Sequence, residues 1–111
     1  MKTIFERIIA GELPCTKVYE DSDILAIEDI HPQAPVHILI IPKKHFPDLQ
    51  NLPESELHIL GKVAKVAQKI AKEKNILGGY RLLTNNGAMA GQTIFHLHFH
   101  LLGGEELVHL V

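Results

Sequence analysis

Three histidines, His96, His98 and His100, take alternate positions in the run His96-Leu97-His98-Phe99-His100-Leu101-Leu102. Side chains alternate faces along a strand, so this spacing puts the three imidazoles on one face and Leu97, Phe99 and Leu101 on the other. Imidazole titrates near neutral pH. Its neutral form has a lone pair that can attack an electrophilic phosphorus and hold it as a covalent intermediate. Such a ring must be fixed in one tautomer by a hydrogen bond to its other nitrogen. The leaving group needs a proton donor, and the phosphoryl oxygens need donors where charge develops. The loop before the histidines carries suitable groups: the amides of Asn85 and Gln92, the Thr93 hydroxyl, and backbone N–H groups near Gly91.

Metal binding is the competing chemistry, since histidine is also the commonest metal ligand. Positions i and i+4 on a strand lie about 13 Å apart, whereas zinc requires each ring nitrogen at about 2.0–2.1 Å. One ion therefore cannot take all three rings. Two could chelate if further ligands came from Asp29, His31 or His37.

The elements that must position these groups can be read along the chain. Thr3 and Glu6 have capping-box spacing ahead of Ile4, Phe5, Ile8 and Ile9, which predicts a short helix stopped by Gly11 and Pro14. Thr16 to Tyr19 and Ile24 to Ile27 read as strands around Asp21-Ser22-Asp23, and Asp29 to Pro35 as an irregular loop. Val36 to Ile41 is a β-branched run suited to a strand buried on both faces and ended by Pro42. Pro53 suits the first turn of a long helix that buries Leu57, Leu60, Ala64, Ala67 and Ala71, with Val63, Val66 and Ile70 beside them. Lys62, Lys65, Lys69 and Lys72 form its solvated face, and Gly78-Gly79 closes it. Tyr80 to Thr84 and Ile94 to Leu102 complete the strands. The order predicts an α+β domain: one five-stranded antiparallel sheet with a long and a short helix packed on it.

A chain of 111 residues fits a single domain, spanning 1–111. Eleven Lys plus Arg against 13 Asp plus Glu give a net charge of -2, which leaves no electrostatic footprint for wrapping nucleic acid. Apolar runs such as Ile38 to Ile41 are far too short to span a membrane. The lone cysteine, Cys15, excludes an intramolecular disulfide and a cysteine-rich zinc site. Glu6 and Arg7 interrupt any signal-peptide core after Lys2, so the expected location is cytoplasmic.

The run Gly91-Gln92-Thr93-Ile94-Phe95-His96-Leu97-His98-Phe99-His100-Leu101-Leu102-Gly103-Gly104 resembles the signature of the histidine triad nucleotide-binding proteins. Asp29-Ile30-His31-Pro32-Gln33-Ala34-Pro35-Val36-His37, followed by Ile40-Ile41-Pro42-Lys43-Lys44-His45, is a second match, and Thr3-Ile4-Phe5 a third. The stretch from Asp29 to Pro42 resembles the purine nucleoside phosphoramidase branch more than the dinucleoside-polyphosphate hydrolases.

The resemblance implies a hydrolase that cleaves nucleoside 5'-phosphoramidates of the AMP-amine type at the α-phosphate, through a nucleotidyl-histidine and without a metal or other cofactor. GMP derivatives are the further expected ligand class. His98 would be the nucleophile, the His96 carbonyl would fix its tautomer, and His100 and His37 would support the phosphate. Asn85, Gly91, Gln92 and Thr93 would contact the phosphate and leaving group, and Asp29 the ribose hydroxyls. Ile4, Phe5, Ile8, Ile27 and Ile30 would wall the purine pocket; plain core packing is the alternative reading of these apolar residues. A homodimer with a continuous ten-stranded sheet is also implied. The chain ends at Val111, short of the aromatic tail of many members, and Glu105 stands where a basic residue is common. Both differences bear on leaving-group preference. The alternative function is a nucleotide-binding regulatory or interaction protein whose hydrolysis is incidental.

Overall fold

A computed structural model describes residues 2–107. The expected chain end at Val111 and the first residue of the expected 1–111 domain lie outside the described residues. Helix α1 (Ile4–Ile9) starts as its sequence predicts: Thr3 accepts from the Glu6 N–H, and the Glu6 side chain accepts from the Thr3 N–H. Strands β1 (Lys17–Glu20), β2 (Ile24–Glu28) and β3 (Val36–Pro42) follow, then helix α2 (Ile59–Glu73), β4 (Tyr80–Leu83) and β5 (Phe99–Gly103). All pairings are antiparallel, in the order β1-β2-β3-β5-β4. The fold is the expected α+β arrangement of five strands with a long and a short helix.

The middle of the sheet is buried on both faces, as the unbroken apolar run of β3 requires. On one face Ile24, Ala26, Ile38, Ile40, Phe99 and Leu101 pack against Val63, Val66, Ala67, Ile70 and Ala71 of α2. On the other, Leu25, Ile27, Leu39 and Ile41 pack against Phe5 of α1. The second face is the smaller, and it carries the site.

Three boundaries differ from expectation by more than one residue. After Pro53 the chain makes a separate short 3-10 turn, Glu54–Glu56, and α2 begins only at Ile59. The buried stripe is accordingly centred on Val63, Val66 and Ile70; Leu57 and Ala64 are exposed and Leu60 half-buried. Secondly, α2 stops at Glu73 rather than at Gly78-Gly79. Asn75 takes φ 59°, and its N–H reaches the Lys72 carbonyl while that of Ile76 reaches the Ala71 carbonyl. This is a Schellman stop built on asparagine. Thirdly, β5 starts at Phe99, not Ile94. Its last pair with β3 is Ile40–Phe99. Beyond it, Leu97 N–H donates to the Phe46 carbonyl and the His96 ring to the Pro42 carbonyl, so these bonds replace the ladder.

Candidate active site

The register of β3 and β5 sets the centre of the site. His100 lies opposite Leu39, and His37 is two residues from Leu39 on the same face. His98 falls just before β5. It is held there by the Thr84 hydroxyl, which donates to the His98 carbonyl at 2.7 Å. Phe5 of α1 meets the His98 ring edge-on, with centroids 4.8 Å apart.

A cavity of about 630 Å³ opens in front of these rings, within the range of about 300–1,000 Å³ usual for small-molecule sites. Every residue that the resemblance assigned to catalysis or binding lines it, except His96. Phe5 and Ile27 are buried members of the smaller core cluster as well as its floor, so the binding and packing readings coincide there. Ile4, Ile8, Asp29, Ile30, Asn85, Gly91 and Thr93 line it from more exposed positions. Leu13, Pro14, Cys15, Leu39 and Ile94 also contribute walls. Sequence reading missed them as site residues because an apolar side chain in a loop or a strand carries no chemical signature.

Hydrogen bonds fix the protons on the rings. His98 Nδ1–H donates to the His96 carbonyl at 2.7 Å, so Nε2 is the unprotonated nitrogen of a ring that lines the cavity. The Gln33 backbone N–H donates to His37 Nδ1 at 3.0 Å, which obliges the neutral His37 to carry its proton on Nε2. That proton faces His100 Nδ1 at 2.9 Å and the Asp29 carboxylate at 3.3 Å. His100 Nδ1 therefore accepts, and His100 keeps a donor on Nε2. A single backbone N–H thus orders the protons of two rings.

Burial favours the neutral form of every ring. It pushes His98 below the ordinary value, against the His96 hydrogen bond and the Asp29 charge. His100 is pushed to about 4 by burial and by the neighbouring His98 and His37. Burial also lowers His37, opposed by Asp29. Near neutral pH the site therefore presents one unprotonated nitrogen for attack and one ring N–H for donation.

Two expectations differ from the structure: the shared face of the three imidazoles and the free amide of Gln92. The three histidines do not present three rings to the cavity. His96 is fully buried, and its ring donates from Nε2 to the Pro42 carbonyl at 2.7 Å; only its carbonyl reaches the site. Gln92 does not offer a free amide. Its Oε1 accepts from Gly87 N–H at 2.8 Å, and its Nε2 donates to the carbonyls of Pro47 and Ile94 at 2.8 and 3.0 Å. With its donors and acceptor engaged and the residue buried, Gln92 braces the loop. Asp29 accepts the His31 N–H on Oδ1 at 2.8 Å, which curls the loop so that the carboxylate faces the cavity.

Asp29, His37 and His100 are close enough to suggest a metal set, their donor atoms lying within 4.8 Å of one another. The protons are wrong for it. A cation on His37 Nε2 would drive the ring's proton to Nδ1, against the Gln33 N–H. His31, the further candidate ligand, is exposed and joins neither three-residue donor cluster among the described residues.

Residues 10–107 match the family described as the HIT domain. An uncharacterized HIT-like protein of Chlamydia muridarum is 51% identical over 104 residues, covering 94% of this chain and 82% of that protein. A solved HIT family hydrolase from Clostridium thermocellum superimposes with TM-score 0.93 at 50% identity, over 96% of this chain and 93% of that one. A histidine triad protein from Clostridium difficile gives TM-score 0.95 at 45% identity, over 100% and 97%.

Proposed function

The chain belongs to the HIT domain family, and from that premise we propose that it hydrolyses purine nucleoside 5'-phosphoramidates at the α-phosphorus. The observation that carries this reading is the His98 ring: Nδ1–H tied to the His96 carbonyl, Nε2 unprotonated, and a cavity lined by apolar side chains and Asp29 in front of it.

In the proposed reaction the purine packs on Phe5, Ile8, Ile27 and the exposed Ile4 and Ile30. Asp29 accepts the ribose hydroxyls with the lone pairs that His31 and His37 leave open. His98 Nε2 forms a bond to phosphorus as the P–N bond to the amine breaks, and the amine departs with a proton, for which the Thr93 hydroxyl on the cavity wall is the assigned donor. The His100 Nε2–H and the backbone N–H of Thr93 would meet the charge that develops on the phosphoryl oxygens, while the Gly91 N–H closes the turn onto the Ala88 carbonyl. Gly91 sits at φ 92°, a left-handed conformation that glycine adopts without a Cβ penalty. Water then bonds to phosphorus, the bond to Nε2 breaks, and the nucleoside monophosphate leaves. No step calls for a metal.

A homodimer accompanies this reading. Strand β4 ends the sheet, and Tyr80 and Leu82 on it, with Leu77 just before it and Leu57 ahead of α2, are large apolar side chains exposed on the single chain. Pairing β4 with its counterpart would give the continuous ten-stranded sheet. Among the described residues no helix is long and apolar enough to cross a membrane, and a cytoplasmic enzyme is the proposed setting.

The test is His98→Ala. The variant should fold, bind AMP and lose turnover of an adenosine phosphoramidate by about three orders of magnitude or more. Unchanged turnover refutes the assignment.

A further inference from the structure

Neutral His37 has one ring proton and two acceptors for it. The Gln33 N–H fills the Nδ1 lone pair at 3.0 Å, so the proton sits on Nε2. From there His100 Nδ1 lies at 2.9 Å and Asp29 Oδ2 at 3.3 Å. Asp29 Oδ1 accepts the His31 N–H at 2.8 Å, which fixes the carboxylate and leaves Oδ2 beside His37. The side chains of His37 and Asp29 are 4% and 17% accessible. Where the His37 N–H points is therefore decided by what else Asp29 holds. All three side chains line the cavity.

We infer that Asp29 is a positioning residue that reports an occupied sugar site to His100 through the single His37 N–H. The inference rests on the reading above, in which Asp29 takes the ribose hydroxyls. With the sugar site empty, the carboxylate competes with His100 for that N–H, and the His100 ring is held by a shared hydrogen bond. Each ribose hydroxyl that donates to Asp29 spreads the carboxylate charge over another bond and weakens its pull on His37. The His37 N–H then turns wholly to His100. That bond fixes the His100 ring and its tautomer, leaving Nε2–H to meet the phosphoryl oxygens.

The two sugar hydroxyls therefore contribute to the chemical step as well as to binding. A nucleotide with both orders the ring that meets the developing charge; one with neither enters the same cavity and leaves His100 less constrained. The coupling does not pass through His98, whose Nδ1–H belongs to the His96 carbonyl. It can be observed without turnover.

Histidine ring-nitrogen resonances of the full chain, followed with adenosine and with 2',3'-dideoxyadenosine, test the coupling with no phosphate present. Adenosine should move the His100 Nδ1 resonance in the direction of a stronger accepted hydrogen bond, and saturating dideoxyadenosine should leave it in place. Asp29→Asn keeps an oxygen for the His31 N–H and offers His37 an NH2 that cannot accept. Its His100 resonance should therefore sit at the adenosine-bound position before any ligand is added. In turnover, the parent should lose about tenfold in kcat between the adenosine and dideoxyadenosine phosphoramidates, the worth of one hydrogen bond. Asp29→Asn should turn over both with the same kcat. A difference in KM alone means that the hydroxyls only bind. The inference is overturned by that result, by absence of adenosine binding, or by bound adenosine that leaves His100 unmoved. An adenosine-induced shift in a chain that turns over no phosphoramidate refutes the hydrolysis and upholds the coupling.

Discussion

At the residue scale the chemistry rests on where protons sit. His100 titrates at about 4 in the folded chain, below its ordinary 6.5. Between those values the unfolded chain binds a proton that the folded chain refuses, so stability falls as pH drops from 6.5 toward 4 and is retained above 6.5. Thermal melts over that range should show the decline, and His100→Gln should flatten it; an unchanged slope in the variant means other groups dominate. His98 is lowered in the same direction, so hydrolysis should hold its neutral-pH rate to below pH 6.5 and then fall as the nucleophile protonates. Gln92 makes a different kind of prediction. Its side chain satisfies three backbone groups of the loop, and Gln92→Leu should cost about 1–3 kcal/mol in denaturant unfolding. These residue roles were unevenly legible. The alternation of His96, His98 and His100 suggested the nucleophile proposed above, but nothing in the residue types said that one ring would be turned onto Pro42. Nor could Gln92 be told from a phosphate ligand, because a glutamine before a histidine run looks the same in either role. Gln33, whose backbone N–H orders two rings, left no sequence signal at all, since every residue but proline has that group.

At the element scale, local rules were reliable and long-range ones were not. The capping box of α1 was visible from Thr3 and Glu6 because both partners lie within one turn. Thr3→Ala should lower stability by about 1 kcal/mol. It should also raise KM for the nucleotide, because α1 carries Ile4, Phe5 and Ile8 into the cavity; a change in kcat alone would contradict that placement. The end of α2 was misplaced because Gly78-Gly79 is the stronger generic stop signal, whereas Asn75 does the work with its left-handed backbone. Asn75→Ala should cost about 1–2 kcal/mol in chemical denaturation and leave catalysis untouched. The start of β5 was out of reach for a different reason. The run Ile94 to Leu102 has strand composition throughout. It leaves the ladder before Phe99 although β3 runs on to Pro42, and there the Pro42 carbonyl is taken by the His96 ring. That is a contact across 54 positions, which no periodicity encodes.

At the scale of the whole molecule, the two faces of the sheet divide the labour. The α2 face holds the larger cluster of buried side chains. The α1 face is thinner, and the space it leaves uncovered is the cavity. The five-stranded α+β arrangement followed from the order of elements, while a second chain follows only from what is left exposed. Sedimentation should report twice the chain mass, and Leu82→Arg on β4 should shift it toward one chain; a single-chain mass for the parent protein would end the ten-stranded proposal. The central claim is more direct: one ring, His98, carries the nucleotide between two bond-breaking steps. Rapid acid-free quenching of the parent protein with an adenosine phosphoramidate, followed by peptide mass mapping, should find a nucleoside monophosphate on His98 during turnover. Turnover with no adduct on that residue, or with the adduct on another side chain, would contradict it.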